Sequence, residues 1–314
     1  MKKSLAITAT LHPDMALLPL TQLARGQKLD GLARENGEVP VLFIANPHGL
    51  HARYLKEADA AGFRHIIVEK PVCVSFEELS SLKSLRANVS VCHGYRQMWG
   101  PQLVKEMLGS GELGEIISVE GRYWQSSAAQ KSVEAPGPSS SWKNDVSLNG
   151  NSDTLVDLGA HWVDLMLFFA DEAPFETVVW KSFLNAEASH RDTHVHLALD
   201  FRHLGRTLGS LSKTAHGEGN HLEFHVIGAK SSVAWTFQDA DSLRLGRGGE
   251  SRTISRKRDR PEVSGQPPFH GLGWLEGYLN IISLTLLSIN DGKSPRVPTL
   301  PESLRTMQVL LSLE

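Results

Sequence analysis

The sequence predicts an α/β protein in which a doubly wound parallel sheet is followed by an α+β domain with a large, mainly antiparallel sheet. Two observations carry this. Up to Tyr95 the chain alternates short apolar runs with amphipathic stretches, as βαβ units do. Beyond Tyr95 apolar runs follow one another directly, joined by turns containing Gly or Asn, as antiparallel strands do. The predicted domains are residues 1–95 and 96–314.

The elements follow in order. "VPVLFIA" (39–45) is a continuous β-branched run, the pattern of a strand buried on both faces. "HARYLKEADAAG" reads as a helix stopped by Gly62 at its C-terminal cap. "FRHIIVE" is the next strand. "SFEELSSLKSLRA" opens with Ser75 and carries Glu78 three residues later, a capping box. "VSVCHGY" is a further short strand, and parallel pairing through right-handed crossovers follows from the spacing. In the second part, "GPQLVKEMLGSGELGE" reads as a helix with a glycine stop. The strands are then "EIISVEGRYWQ", "FETVVWKSFLN", "DTHVHLALDFR", "RTLGSLSKTAH", "NHLEFHVIGAK" and "SSVAWTF". One long helix, about 153–170, interrupts them. Two more, about 274–289 and 302–313, close the chain.

Bulk properties narrow the function classes. The 314 residues carry 41% hydrophobic and 21% charged residues and a net charge of −3. That balance fits a globular protein and gives no broad basic field for nucleic acid. No apolar run approaches the ~20 residues a membrane span needs. The apolar start is broken by His12, Pro13 and Asp14, so no signal peptide is expected. Two cysteines, Cys73 and Cys92, without metal-ligand spacing, suit a reduced cytoplasmic setting and no metal site.

In a doubly wound sheet, ligands bind at the carboxyl ends of the strands. "ANPHGLH" follows one strand end and "EKPV" the next, so Lys70 is expected to reach into a cleft. The segment "NSDTLVDLGAHWVDLMLFFAD" is apolar nearly all round except at Asp157, His161 and Asp164. Spaced i, i+4 and i+7, these three share one helix face. A helix with such a surface is buried, and buried charges need partners or a cleft. The residues alone allow an internal Asp–His hydrogen bond that fixes packing, or a general acid/base histidine oriented by a carboxylate. Tyr95, Trp124 and Trp142 are of a kind to stack on a sugar ring or to pack a core.

Taken together, "FIANPHGLHARYLKEADAAGFRHIIVEKPV", "HGYRQMWGPQLVKEMLGSGELGEIISVEGRYW" and "SWKND" with "LVDLGAHWVDLM" resemble the Gfo/Idh/MocA family of oxidoreductases. The family's Glu-Lys-Pro motif matches Glu69, Lys70 and Pro71. Its Asp-x-Gly-x-His-x-x-Asp motif matches Asp157, Gly159, His161 and Asp164. Its Thr-Pro-Asn-x-x-His loop matches Asn46, Pro47, His48 and His51, with Asn for Thr and His for Asn. The resemblance implies a Rossmann-like first domain, NAD or NADP as cofactor, and a sugar, polyol or related hydroxylated substrate. It implies catalytic roles for Lys70, His161 and Asp157. It places Asn46, Pro47, His48, His51 and Glu69 by the cofactor and Tyr95, Trp142 and Asp164 by the substrate. It further implies a homo-oligomer, dimer or tetramer, formed through the sheet of the second domain.

One departure from the family is large. "LAITAT" runs into Leu11, His12 and Pro13, and no glycine precedes Gly26, so the G-x-G-x-x-G phosphate loop is missing. The interval to "VPVLFIA" is shorter than two βα units, so about one unit of roughly 30 residues is absent. The parallel sheet is therefore expected to be truncated, with an exposed edge and a remodelled or degenerate dinucleotide site. Two other readings stay open: a cofactor-independent lyase or isomerase on the same scaffold, and a non-catalytic ligand-binding protein.

Overall fold

The computed structural model describes residues 5–10, 39–129, 150–183, 191–257, 271–291 and 297–314. They gather into two compact units. The first holds the described residues up to His93, Gly150 and those of 281–311. The second holds the rest of Gly94–Asn280 and Ser312–Glu314.

In the first unit β1 (Leu5–Thr10), β2 (Val39–Ile44), β3 (His65–Val68) and β4 (Asn88–Val91) form one parallel sheet in that order. Helices α1 (His51–Ala60) and α2 (Phe76–Leu82) cross over between strands. Val41, Leu42, Ile44, Ile66, Ile67, Val68 and Val91 are buried, together with Leu55 and Ala58 of α1 and Leu79 and Leu82 of α2. Gly62 takes a φ of 96°, the left-handed stop expected after α1. At α2 the Ser75 hydroxyl accepts from the Glu78 amide at 3.2 Å. The returning Glu78 carboxylate reaches Val74 N at 2.8 Å, one residue ahead of the usual capping box.

The dinucleotide-type sheet has strand order 3-2-1-4-5-6, with the ligand crevice where the order reverses. Direct pairing of β1 with β2 corresponds to the 1-4-5-6 side of that order. "LAITAT" is thus the strand beside the reversal, and no strand beyond it is found among the described residues.

The second unit starts with α3 (Trp99–Gly109) and β5 (Ile116–Trp124). The long helix expected over 153–170 is two: α4 (Thr154–Asp157) and α5 (Gly159–Ala170), separated by a turn at Leu158. Strands β6 (Glu176–Ser182), β7 (His194–Phe201), β8 (Gly205–Ser212), β9 (His221–Gly228), β10 (Ser232–Thr236), β11 (Ser242–Arg247) and β12 (Glu250–Ser255) follow. With β5 they make an eight-stranded sheet in the order β12-β11-β10-β9-β5-β8-β7-β6. Only the β5–β8 pairing is parallel. The sequence reading missed the β11–β12 hairpin.

Helix α5 is seated on this sheet by one side chain. Gly121 and Gly209 face each other across β5 and β8. A Cβ on Gly121 would come within 2.7 Å of the Trp162 ring, and one on Gly209 within 2.5 Å of its Nε1. The indole, fully buried, lies in the trough these two glycines leave. At the far edge, Arg256 Nη1 pairs with Asp241 Oδ1 at 3.0 Å and Glu276 Oε1 at 2.6 Å, all three buried.

Helix α6 (Trp274–Asp291) leads out of the second unit, and α7 (Leu300–Leu311) belongs to the first. The sequence reading gave everything beyond residue 95 to one domain. The chain instead returns, because α7 carries an apolar stripe (Leu300, Leu304, Met307, Leu310 and Leu311) whose burial is in the first unit. Thr299 bridges to Ser90 at the free edge of β4, Val91 N donates to Pro298 O at 2.7 Å, and His93 Nε2 lies 3.0 Å from Ser303 Oγ. The β4 edge of the sheet is therefore covered. Both cysteines are free thiols. Burial, aided by Glu78, pushes Cys73 up to about 12, and burial pushes Cys92 well above its usual value, so neither is a reactive thiolate.

Candidate active site

In the first unit, the loops at the carboxyl ends of β2 and β3 are tied together by one histidine. His51, fully buried at the start of α1, sets Nε2 2.7 Å from the carbonyl of Asn46 and Nδ1 2.7 Å from that of Pro71. The first contact holds the loop Asn46–Pro47–His48 and the second the turn Glu69–Lys70–Pro71, whose Lys70–Pro71 bond is cis. Each ring nitrogen of His51 faces a backbone carbonyl, and the neutral ring donates to one of them, so the imidazole packs the two loops together. Lys70 is 9% exposed. The Asn46 side chain is buried, and neither its Oδ1 nor its Nδ2 has a hydrogen-bond partner among the described residues. A buried amide in that condition costs about 1–3 kcal/mol per unsatisfied group and marks a place for a polar ligand.

The clamp titrates. Burial lowers His51 below its usual 6.5, the Lys70 charge adds to this, and the two carbonyl acceptors oppose it without prevailing. The fold therefore favours the neutral ring. Its contribution to stability is complete above pH 6.5 and is lost as pH falls through the lower folded value. Thermal melts of the wild type and of His51→Gln check this. The wild type should lose more melting temperature than the variant between about pH 7.5 and 5.5. Equal losses would refute it.

The second unit carries the histidine. Almost all of α5 is buried, yet His161 remains half-buried. Two tyrosines bracket it edge-on: the Tyr95 ring centroid is 4.9 Å from the imidazole and that of Tyr123 is 5.7 Å away. The tyrosines are themselves locked by a closed hydrogen-bond cycle. Asn220 Nδ2 donates to Tyr95 Oη at 2.7 Å, and the two phenol oxygens are 2.9 Å apart. Tyr123 Oη donates to Asn220 Oδ1 at 2.7 Å. With the Tyr95 hydroxyl donating to Tyr123, every member gives one bond and takes one. Gln125 Nε2 donates to Tyr123 Oη and Asn220 Oδ1 from outside the cycle. Burial pushes both phenols above their usual values, so they remain neutral donors.

Asp157 ends α4 and meets Lys213, which directly follows β8. Lys213 Nζ is 2.6 Å from Asp153 Oδ1 and 2.9 Å from Asp157 Oδ2. Burial works to lower this ammonium, but the two carboxylates together outweigh it and raise it above its usual value. Asp192 braces the same turn, accepting from Asp153 N at 2.8 Å and Leu155 N at 2.7 Å.

Of the residues expected together on one helix face, the structure separates three roles. Asp157 joins the lysine pair and His161 the tyrosines. Asp164 is buried and pairs with Arg96 at 3.5 Å, beneath Phe168. Its carboxylate is committed inside the unit, which is at odds with contact to a substrate. Tyr95 likewise has its hydroxyl engaged in the cycle. Trp124, the strand neighbour of Tyr123, points to the opposite sheet face, 4.4 Å under the Arg122 guanidinium. Trp142 lies outside the described residues, as does the segment 11–38 after β1. Lys213, Tyr123, Asn220 and Gln125 were not singled out from sequence. Among the described residues there is no cluster of three or more metal-ligating side chains, and no helix long and apolar enough to cross a membrane.

Comparison with known proteins gives a consistent picture. Residues 18–95 match the model described as "Oxidoreductase family, NAD-binding Rossmann fold", and residues 102–234 match the GFO/IDH/MocA C-terminal domain. Levoglucosan dehydrogenase of Pseudarthrobacter phenanthrenivorans is 25% identical over 79% of this chain and 70% of its own length. Glucose-6-phosphate 3-dehydrogenase of Bacillus subtilis is 22% identical over 86% of this chain and 77% of its own. Among solved structures, an inositol dehydrogenase homolog from Azotobacter vinelandii, complexed with NAD+, superposes with a TM-score of 0.80. It is 20% identical, covering 92% of this chain and 78% of that one. At that identity the likeness speaks for the fold.

Proposed function

From a chain that belongs to the Gfo/Idh/MocA oxidoreductase family, matched over both of its domains, we propose a dehydrogenase of a sugar, polyol or related hydroxylated substrate. The observation that carries the reading is the pair of loops at the ends of β2 and β3. They present Lys70 and the partnerless Asn46 amide, and His51 holds both. The relatives' names, dehydrogenases of levoglucosan and glucose 6-phosphate, support the substrate class.

The Asn46 amide fits a nicotinamide nucleotide: it offers an NH2 donor group and a carbonyl acceptor in a buried loop at the ligand-binding end of the sheet. Asn46, His48 and Lys70 would hold the nicotinamide end. Before Gly26 the sequence has no glycine for a phosphate loop. We read the site as remodelled there. When bound, the dinucleotide supplies the hydride acceptor. The chain's own part is proton chemistry: in the second unit His161 takes the proton of the reacting hydroxyl and Asp157 accepts a hydrogen bond from another substrate hydroxyl, while in the first unit Lys70 supplies a positive charge beside the nicotinamide end. Titrating the protein with NAD(H) and NADP(H) tests this, since a ligand of the folded state raises the melting temperature. A rise at millimolar concentration is expected with one of the pairs. No rise, with proton exchange into a polyol or keto-sugar, would replace the dehydrogenase by a lyase or isomerase. No rise and no exchange would leave a ligand-binding protein.

We further propose a homo-oligomer through the outer face of the eight-stranded sheet. Val178, Trp180 and Leu208 are exposed there, on the side away from α5. Three exposed apolar side chains on one flat face suit burial against a second copy.

A further inference from the structure

We propose that Lys213 is a positioning residue of this site: its hidden ammonium backs two accessible carboxylates and fixes Asp157 in place for a neutral, hydroxyl-bearing substrate. The inference rests on the dehydrogenase reading for its chemistry but on separate observations for its geometry. Asp153 and Asp157 bracket α4, four residues apart, and one Nζ lies within 2.9 Å of both. The lysine side chain is 9% exposed and each carboxylate side chain 32%. A ligand approaching from solvent therefore meets the oxygens first and not the cation. Carboxylate oxygens only accept, so the group they suit is a hydroxyl, and an anionic substituent is disfavoured.

The lysine is anchored at its backbone as well as its tip. Its N–H donates to Thr193 O at 2.9 Å and its carbonyl accepts from Ala128 N at 2.8 Å. The Tyr95 and Tyr123 phenols, both held neutral by burial, face Asp157. Arg191 Nη2 lies 4.0 Å from Asp153 and donates to Ser152 O at 2.7 Å. Asp192 caps the α4 turn, Lys181 reaches Ser152 Oγ at 3.3 Å, and Glu314 accepts from Ser152 N at 3.3 Å. Only Lys213 touches Asp153 and Asp157 together among these groups. Without it, two like charges would share one site, and one of them would take up a proton at higher pH than it otherwise does.

The test compares wild type, Lys213→Met, Lys213→Arg and the double variant Lys213→Met with Asp153→Asn, each checked for intact dinucleotide affinity. Lys213→Met should lower kcat/KM for the polyol on the order of 10- to 100-fold and raise the pH at which the Asp157 carboxyl takes up its proton, read by NMR of the carboxyl carbon. Replacing Asp153 removes the competing carboxylate, so the double variant should bring that titration back down, and Lys213→Arg should keep the wild-type titration. An unmoved Asp157 titration in folded Lys213→Met, or unchanged kcat/KM, would overturn the proposal. If Lys213→Met does not fold, NMR of the wild-type Lys213 ammonium carries the test. Its titration should fall to lower pH in Asp157→Asn, and an unchanged titration refutes the coupling. This measurement needs no turnover. An inactive wild type with intact coupling would sink the dehydrogenase reading alone, and normal turnover without coupling would sink the role of Lys213 alone.

Discussion

His161→Asn should lower kcat on the order of 10²- to 10⁴-fold, with dinucleotide affinity and melting temperature close to those of the wild type. The substitution removes the proton acceptor while keeping a polar side chain of similar reach on α5. Little of the fold depends on the imidazole: the residue is half-buried, and its ring neighbours Tyr95 and Tyr123 are held by Asn220 and Gln125 rather than by it. Lys70→Ala should show a comparable loss in kcat, and Lys70→Arg should not rescue it. A guanidinium stays charged at every working pH, is larger, and directs its donors in a plane, whereas the ammonium is a compact point charge. Steady-state kinetics with a polyol and the preferred dinucleotide decides the matter. Turnover within threefold of wild type in both single variants would remove both residues from the chemistry.

The parts of this molecule that were legible in sequence are those where one physical rule acts locally. The continuous apolar runs of β2 and β3 announced strands buried on both faces. Ser75 and Glu78 announced the start of α2. The nearly all-apolar surface around His161 announced a buried helix in which a polar group stands out. What stayed hidden depended on contacts distant in the chain. Lys213 reads as an ordinary lysine at the end of a strand, and only the fold brings it against Asp153 and Asp157, 60 and 56 positions earlier. The Tyr95–Tyr123–Asn220 cycle spans 125 residues and leaves no periodic trace. Asp157, His161 and Asp164 share a helical spacing, but Asp157 lies before the turn at Leu158 and pairs with Lys213. Asp164 then finds Arg96 within the unit. The hairpin β11–β12 did have a local signal, the Gly248-Gly249 pair with Gly248 at a φ of 59°, between two strands poor in buried residues. Its alternation was too weak to register because β12 is almost wholly exposed.

The largest effect on stability is expected where α5 meets the sheet. Trp162→Ala should cost about 3–5 kcal/mol, the range for emptying a buried aromatic site. The sheet cannot close over the space, because Gly121 and Gly209 have no side chains with which to fill it. The reciprocal change is equally informative. A Cβ on Gly209 would sit 2.5 Å from the indole nitrogen, and one on Gly121 would also collide with the backbone oxygen of Glu223 in the neighbouring strand. Gly209→Val should therefore destabilise by about 1–3 kcal/mol or more through overpacking, and it should also depress turnover. Trp162 directly follows His161 on α5, so a helix lifted off the strand pair carries the imidazole out of its tyrosine bracket. Combining Gly209→Ala with Trp162→Leu distinguishes a shape-matched contact from two independent losses. The smaller side chain makes room for the added methyl, so the double variant should be more stable than the sum of the single changes predicts. Strict additivity in denaturant melts would show that the tryptophan and the glycines do not act on each other. The seating of His161 would then have to come from the tyrosine cycle alone.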